Sequence, residues 1–443
     1  MRQKEWIDML KLLIIADDFT GALDTGVQFS KKGVPTLVTA DQSIGPESVP
    51  AGTGVLVVDT ESRHDRPEAA REKVRALTAR FRNIPGCFFY KKTDSTLRGN
   101  VGAEVTGFLE GLGTAEVIFV PALPKSGRTT VKGIHYVNGV PLAETVFARD
   151  PLNPVRESEV IKILAAQSPC AVVLCEKGED PGQDLPPHES GTIRVCDGET
   201  DADLAEIGKC LGERGKLRHT AGCAGFAEVL SEWIPPATEK EKALVLEDRR
   251  FLFLCGSVNQ ISVDQANYAE DHGFSSYTLK SREILDPDFP ETPEFTALAK
   301  KIAAEVGKKG KMLVRTLRDY GELAKTETYA REKGIESKQL GLRIADRVGL
   351  LVKEILKSSK IKNLVVFGGD TLIGIIEKLG CDGIFPLEEI APGVVIAKTT
   401  GRDPALSPVI VTKAGGFGDV DVIDGITRYL TVPPSSPSAK SEP

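Results

Sequence analysis

Short apolar runs rich in β-branched residues recur along this chain, each continuous rather than alternating, with amphipathic helical stretches between them. The first series is LLIIA (12–16), TLVTA (36–40), GVLVVDT (54–60), CFFYKK (87–92), EVIFVPAL (116–123) and CAVVLCE (170–176). A run without polar alternation suits a strand buried on both faces, as in a parallel sheet covered by helices. Stretches such as RPEAAREKVRALTARF (66–81) supply the helices, so the pattern predicts βαβ units. One segment departs from it. In HYVNGVPL (135–142), Asn138-Gly139 between two apolar triplets predicts a hairpin turn, within a stretch (124–151) that otherwise reads as a long loop.

The series breaks at WIPPATEKEKA (233–243), where two prolines precede a charge run, and this reads as an interdomain linker. It restarts with FLFLCGS (251–257), SSYTLK (275–280), KMLVRTL (311–317), NLVVFGG (363–369), VVIAK (394–398) and PVIVTKAGG (408–416), with helices such as LGLRIADRVGLLVKEILKSS (340–359) between. At 443 residues the chain exceeds what one ordinary core supports. The expected architecture is α/β: two Rossmann-like domains with mostly parallel sheets and an active-site cleft between them. The boundaries expected are 1–235, 244–432 and a disordered Pro/Ser-rich tail at 433–443.

Charge and cysteine usage narrow the function classes. With 56 basic and 63 acidic residues the formal charge is −7, which argues against a nucleic-acid partner. A locally basic pocket for a small anion remains compatible with it. Eight cysteines lie singly, without a C-x-x-C pair, mostly inside apolar runs, and read as buried reduced thiols. The apolar stretch near the N-terminus is too short for a membrane span or a signal sequence, so a cytoplasmic location without membrane association is expected.

In open α/β sheets ligands bind beyond the carboxyl ends of the strands, so the loops leaving strands carry the chemical information. ADDFTGALDTG (16–26) sets Asp17 and Asp18 side by side at a strand end, able to accept from sugar hydroxyls or to take a hydroxyl proton. The bland alternative is a helix cap followed by a tight turn. In VVDTESRHDRP (57–67), Arg63 can hold a carboxylate bidentately. KKTDSTLRGNVGAE (91–104) packs Lys91, Lys92, Asp94, Ser95, Arg98 and Gly99 between a strand and a helix start, a natural anion site. Two or three charged hydrogen bonds, each worth about 1.5–3 kcal/mol, would hold a small acid there. Arg128 in the next loop could neutralise an anion, whereas His135 reads as an ordinary packed histidine.

Three glycine loops follow strands in the second half: CGSVNQ (255–260), FGGDTLIG (367–374) and KAGGFGD (413–419). Such loops expose backbone N–H groups and cradle phosphates. No Walker A sequence, complete G-x-G-x-x-G or kinase H-R-D set accompanies them. The residues alone therefore give an anion- and hydroxyl-binding first domain and a phosphate-cradling second one.

The segments ADDFTGALD, DTESR, KKTDSTLRGNVGAE and GRTTVKGIHYVNGVPLAETVFARDP resemble the N-terminal domain of the four-carbon acid sugar kinase family. CGSVNQISVDQ, FGGDTLIGIIEKLG and PVIVTKAGGFGD resemble its nucleotide-binding C-terminal domain, in order from about residue 12 to about residue 425. The resemblance implies Mg²⁺- and ATP-dependent phosphorylation of the terminal hydroxyl of threonate, erythronate or 3-oxo-tetronate. Carried onto matching positions, Ser257, Gly368, Gly369, Asp370, Thr371 and Gly415 would contact ATP. Asp17, Asp18, Arg63, Lys92, Asp94 and Arg98 would line the sugar-acid side, with Asp18 ahead of Asp17 and Asp94 as the base. Cys223 stands where the family commonly has serine and is left out of the site, and Asp370 stands where glutamate is common. The partners implied are a four-carbon acid and ATP; a homodimer is compatible, with the oligomeric state unfixed. Two other classes stay open, a nucleotide-dependent oxidoreductase of a small hydroxy acid and a non-catalytic sugar-acid sensor.

Overall fold

The structure is a computed structural model that describes residues 10–150, 152–236 and 248–431. The tail from 433 and most of the linker lie outside the described residues. Contacts divide the chain into two units, Met1–Lys240 and Glu241–Pro443.

In the first unit the continuous apolar runs form β1 (Leu12–Ala16), β2 (Thr36–Thr39), β3 (Val55–Asp59), β4 (Phe88–Lys92) and β5 (Glu116–Val120). Later strands are β6 (Arg128–Val131), β7 (Ile134–Val137), β8 (Val140–Pro141), β9 (Ala171–Cys175), β10 (Thr192–Cys196) and β11 (His219–Gly222). The main sheet runs β2-β3-β1-β4-β11-β5-β10-β9 and every pairing is parallel. Its helices are α1 (Phe19–Ser30), α2 (Pro67–Phe81), α3 (Val101–Leu112), α4 (Val160–Ala165), α5 (Asp201–Glu213) and α6 (Ala224–Leu230).

The stretch expected to be a long loop is instead a small antiparallel sheet, β6-β7-β8. Two tight turns build it. Asn138 (φ 51°) and Gly139 (φ 78°) make the expected one, and Lys132 (φ 50°) and Gly133 (φ 74°) make a second. Both pairs occupy the left-handed region that two-residue hairpins require; Lys at the first position hid the second turn.

The second unit contains β12 (Phe251–Cys255), β13 (Ser275–Thr278), β14 (Lys311–Arg315), β15 (Asn363–Phe367), β16 (Cys381–Ala391), β17 (Val394–Gly401) and β18 (Val409–Lys413). Its helices are α7 (Gln260–Asp271), α8 (Ser281–Leu285), α9 (Pro293–Lys309), α10 (Tyr320–Glu332), α11 (Ser337–Lys357), α12 (Gly369–Leu379) and α13 (Val422–Thr431). Strand order is β13-β14-β12-β15-β18-β17-β16, parallel except that β17 runs against both neighbours. Phe251, Phe253, Val365, Phe367, Ile396 and Val411 form the core between this sheet and α7 and α13.

Each sheet has one place where the strand order reverses: between β1 and β4 in the first unit, and between β12 and β15 in the second. The loops leaving those strands flank the crevice in which doubly wound sheets bind ligands.

Candidate active site

In the first unit three loops converge on one guanidinium. Arg63, beyond the end of β3, donates from Nε to Asp17 Oδ2 and from Nη2 to Asp18 Oδ1, both at 2.7 Å. Asp94 Oδ1, from the loop after β4, lies 3.5 Å from Nη2. These three carboxylates hold the Arg63 guanidinium protonated against the cost of its burial. Arg63 is thus an internal hub rather than a free anchor for an incoming carboxylate.

The three aspartates differ in what they have left to offer. Asp94 is fully used: Oδ2 accepts from Thr96 N and Oγ1 and from Arg98 N and Nε, while Oδ1 accepts from Arg98 Nη2. Although burial opposes it, the Arg63 and Arg98 guanidiniums hold this carboxyl well below its usual range. Asp17 faces inward; burial raises its pKa but Arg63, Lys91 and Lys92 lower it on balance, and its Oδ1 has no partner. Asp18 caps α1 through the Gly21 N–H at 3.2 Å, so the bland reading of this residue is also true. Its side chain is 28% exposed against 3% for Asp17 and 9% for Asp94, which leaves Asp18 as the accessible carboxylate.

The floor beneath this cluster is a buried polar chain. Thr60 Oγ1 donates to Ala16 O at 2.7 Å and contacts Ser62 Oγ at 2.7 Å. Ser62 Oγ donates to Glu104 Oε1 of α3 at 2.6 Å, and Glu104 pairs with Lys91 Nζ at 2.9 Å, both side chains being at most 1% exposed. Lys92 Nζ donates to Thr93 O and stands near the first turn of α1, since a Cβ on Gly21 would lie 2.7 Å from it. Arg98 reaches Asp150 at 3.3 Å and stacks over the Phe147 ring at 5.5 Å. Gly99, at φ 84°, lets the loop cross Arg63 closely: a Cβ would lie 2.9 Å from the Arg63 carbonyl oxygen. Asn100 Nδ2 then ties the loop to the carbonyls of Ser62 and Asp65, each at 2.9 Å.

Sequence reasoning passed over several residues here. Asp59 ends β3 beside Ala16, wholly buried, with Oδ2 unpartnered. Burial, with Asp18, Glu61 and Asp17 adding negative charge, pushes its carboxyl well above the usual range despite the Glu61 N–H. An aspartate closing an apolar strand was the signal. His135, assigned no role, is buried; its Nε2 donates to Ser95 O at 2.9 Å and its Nδ1 accepts from Thr130 at 3.0 Å, propping the loop after β4. Arg128 has no ion pair among the described residues and its buried Nε lacks a partner. Cys223 is a buried thiol donating to Pro121 O and Ala122 O, pushed up to about 11 by burial.

In the second unit the glycine loops meet around Ser257. A Cβ on Gly415 would lie 3.0 Å from Ser257 Oγ, one on Gly368 would lie 3.4 Å from Ser257 Cβ, and one on Gly256 would strike Thr371 Oγ1. Gly368, at φ 101°, precedes α12, whose first turn holds Gly369, Asp370 and Thr371. Thr371 is buried inward and Asp370 is exposed. A helix start and glycine backbones brought together in this way form an anion-binding surface. Among the described residues no helix is long and apolar enough to cross a membrane.

Comparison with known proteins agrees with this division. The family model for a sugar-binding N-terminal domain matches residues 12–230, and that for a nucleotide-binding C-terminal domain matches 252–423. A D-threonate kinase of Salmonella typhimurium is 32% identical over 95% of this chain and 98% of its own length. A D-erythronate kinase of Heliobacterium modesticaldum is 29% identical over 95% and 97%, and a 3-oxo-tetronate kinase of Brucella melitensis 25% over 92% and 93%. A crystal structure from Salmonella typhimurium LT2 shares the fold with a TM-score of 0.77, at 23% identity, over 95% of this chain and 100% of that one. The chain belongs to the four-carbon acid sugar kinase family and is an ATP-dependent sugar-acid kinase.

Proposed function

We propose that the protein phosphorylates the terminal hydroxyl of a four-carbon sugar acid, with threonate, erythronate or 3-oxo-tetronate as substrate and the 4-phosphate as product. The observation that carries this reading is the Arg63-centred cluster, which leaves Asp18 accessible, with Lys92 also close to Gly21 in the first turn of α1, while Asp17 and Asp94 are turned inward. Asp18 accepts the hydroxyl proton, and Arg63, bonded to its Oδ1, fixes the carboxylate's orientation. Arg128, whose Nε is uncommitted, receives the substrate carboxylate together with Lys92. Arg98, engaged by Asp94 and Asp150, keeps the loop after β4 in shape.

On the nucleotide side, Ser257, residues 368–371 and Gly415 hold the phosphates through hydroxyls and backbone N–H groups. Mg²⁺ accompanies ATP. No group of three or more His, Cys, Asp or Glu able to hold an ion occurs among the described residues, which suits a cation bound through phosphates, waters and one carboxylate. Asp370, exposed in the first turn of α12, fits as that carboxylate; Mg²⁺ would supply charge neutralisation on the phosphates. Catalysis on these residues is positioning and electrostatics.

A coupled ADP-release assay over both threonates, both erythronates and the 3-oxo-tetronates tests the reading. One acid should turn over with kcat/KM at least about a hundredfold above the others, because a missing or misplaced hydroxyl leaves site groups unpaired. ADP release with none of them would end the proposal.

A further inference from the structure

Lys413 closes β18 and is 1% exposed. Its Nζ donates to the carbonyls of Ala414 (2.8 Å), Gly415 (3.3 Å) and Phe417 (2.8 Å), and stands 5.3 Å from the centre of the Phe367 ring. Two side chains of α7 complete the grip. Ser262 Oγ donates to Gly415 O at 2.8 Å, and Gln265 Nε2 to the carbonyls of Phe417, Gly418 and Asp419 at 3.1, 3.0 and 2.9 Å. Five carbonyls of the run 414–419 are thereby held inward, Gly416 being the exception. The N–H groups of Gly415, Gly416 and Gly418 have no partner among the described residues.

What Lys413 lacks is a counter-ion. Phe367 faces it from β15, Val394 pairs with it from β17, and α7 offers the neutral Ser262 and Gln265. The titratable group that acts on it is the Cys255 thiol of β12, itself pushed up to about 11 by burial and so uncharged. No carboxylate pairs with Lys413 among the described residues. A buried ammonium without an anion is costly, and burial accordingly pulls Lys413 down to about 8.

We propose that Lys413 is a positioning residue of the nucleotide site: its ammonium shapes the glycine loop and receives its counter-charge from the nucleotide phosphates. This rests on the glycine loops being the phosphate site. Bound phosphate favours the ammonium over the amine, so nucleotide binding takes up a proton once the free protein has begun to lose it, near and above pH 8. Nucleotide affinity therefore falls as pH rises through that range.

Titration calorimetry of the full-length protein with Mg²⁺–ADP between pH 7.5 and 9.5, in buffers of different ionisation enthalpy, tests this without any variant. The expected result is uptake of about half a proton near pH 8, approaching one above it, with affinity falling by up to about tenfold per pH unit. K413M should bind Mg²⁺–ADP about tenfold more weakly at pH 7.5, without proton uptake and with sugar-acid affinity unchanged; K413R should keep its affinity across the pH range. S257V separates the two readings. If S257V weakens ADP binding while the wild type takes up no proton, or while K413M binds normally, the role of Lys413 is overturned and the phosphate site stands. If neither variant weakens ADP binding, the loop assignment itself fails, and the Lys413 proposal with it.

Discussion

One oxygen of Asp18 is committed to the Gly21 N–H and the Arg63 guanidinium, whereas the other accepts no hydrogen bond among the described residues. The same carboxylate thus starts α1 and faces substrate, and substitution can separate the two roles. Asparagine caps helices about as well as aspartate. Asp18→Asn should therefore keep the fold and the affinity for ATP while lowering kcat by about a hundredfold or more, the usual size of a lost general base. Steady-state kinetics beside a melting curve would show it, and near wild-type turnover would remove Asp18 from the role. Asp94→Asn should behave in the opposite way. It takes the charge from between two largely buried guanidiniums, so a loss of stability of about 3 kcal/mol or more is expected in urea unfolding, before any question of catalysis.

At the scale of elements, most parallel strands were legible because burial on both faces leaves a continuous apolar signature; all twelve runs read from the sequence are strands, although β17 pairs antiparallel and β13 is only half-buried. Those missed carry other signatures. In β10, Thr192 and Arg194 interrupt the apolar residues, and β11 is four residues with a single alanine as its apolar member. In β16 there is a proline and three register shifts, which suit its antiparallel pairing with β17. The loops after β1, β3 and β4 were legible as chemistry because charged residues and glycine follow apolar runs. That Arg63 answers all three was not, since nothing local in sequence reports a pairing over 45 or 46 positions. The crossing of the loops depends on Gly99. Alanine there would have to hold a left-handed φ and press a Cβ against the Arg63 carbonyl. Gly99→Ala should cost about 1–3 kcal/mol in denaturant unfolding and raise KM for the sugar acid while leaving KM for ATP alone. Equal effects on both KM values would show that the crossing does not shape the sugar-acid side.

For the whole molecule, the two strand-order reversals explain why the chemistry is divided: each unit has its own crevice, one lined by side-chain charges and the other by backbone N–H groups. The charge-lined site also shapes how stability responds to acid. His135 is buried beneath the loop after β4, and burial brings its pKa down to about 4 from 6.5, opposed by the bond to Ser95 O. Between those values the unfolded chain binds a proton that the native protein refuses, so stability drops as pH falls from 6.5 towards 4. His219, also brought down to about 4 by burial, acts in the same direction. Asp94, held low by its arginines, adds a loss only below about 3.8, whereas Asp59 and Glu104, raised by burial, bind protons more readily when folded and oppose it. Across the window from 6.5 to 4 the histidines thus lower stability, His135 by about 3 kcal/mol, against the opposing carboxyls. Glutamine can donate to Ser95 O from its amide without titrating. Melting temperatures measured every half pH unit should thus decline less steeply for His135→Gln than for the wild type over this window. Parallel curves would mean that the proton is not excluded at His135.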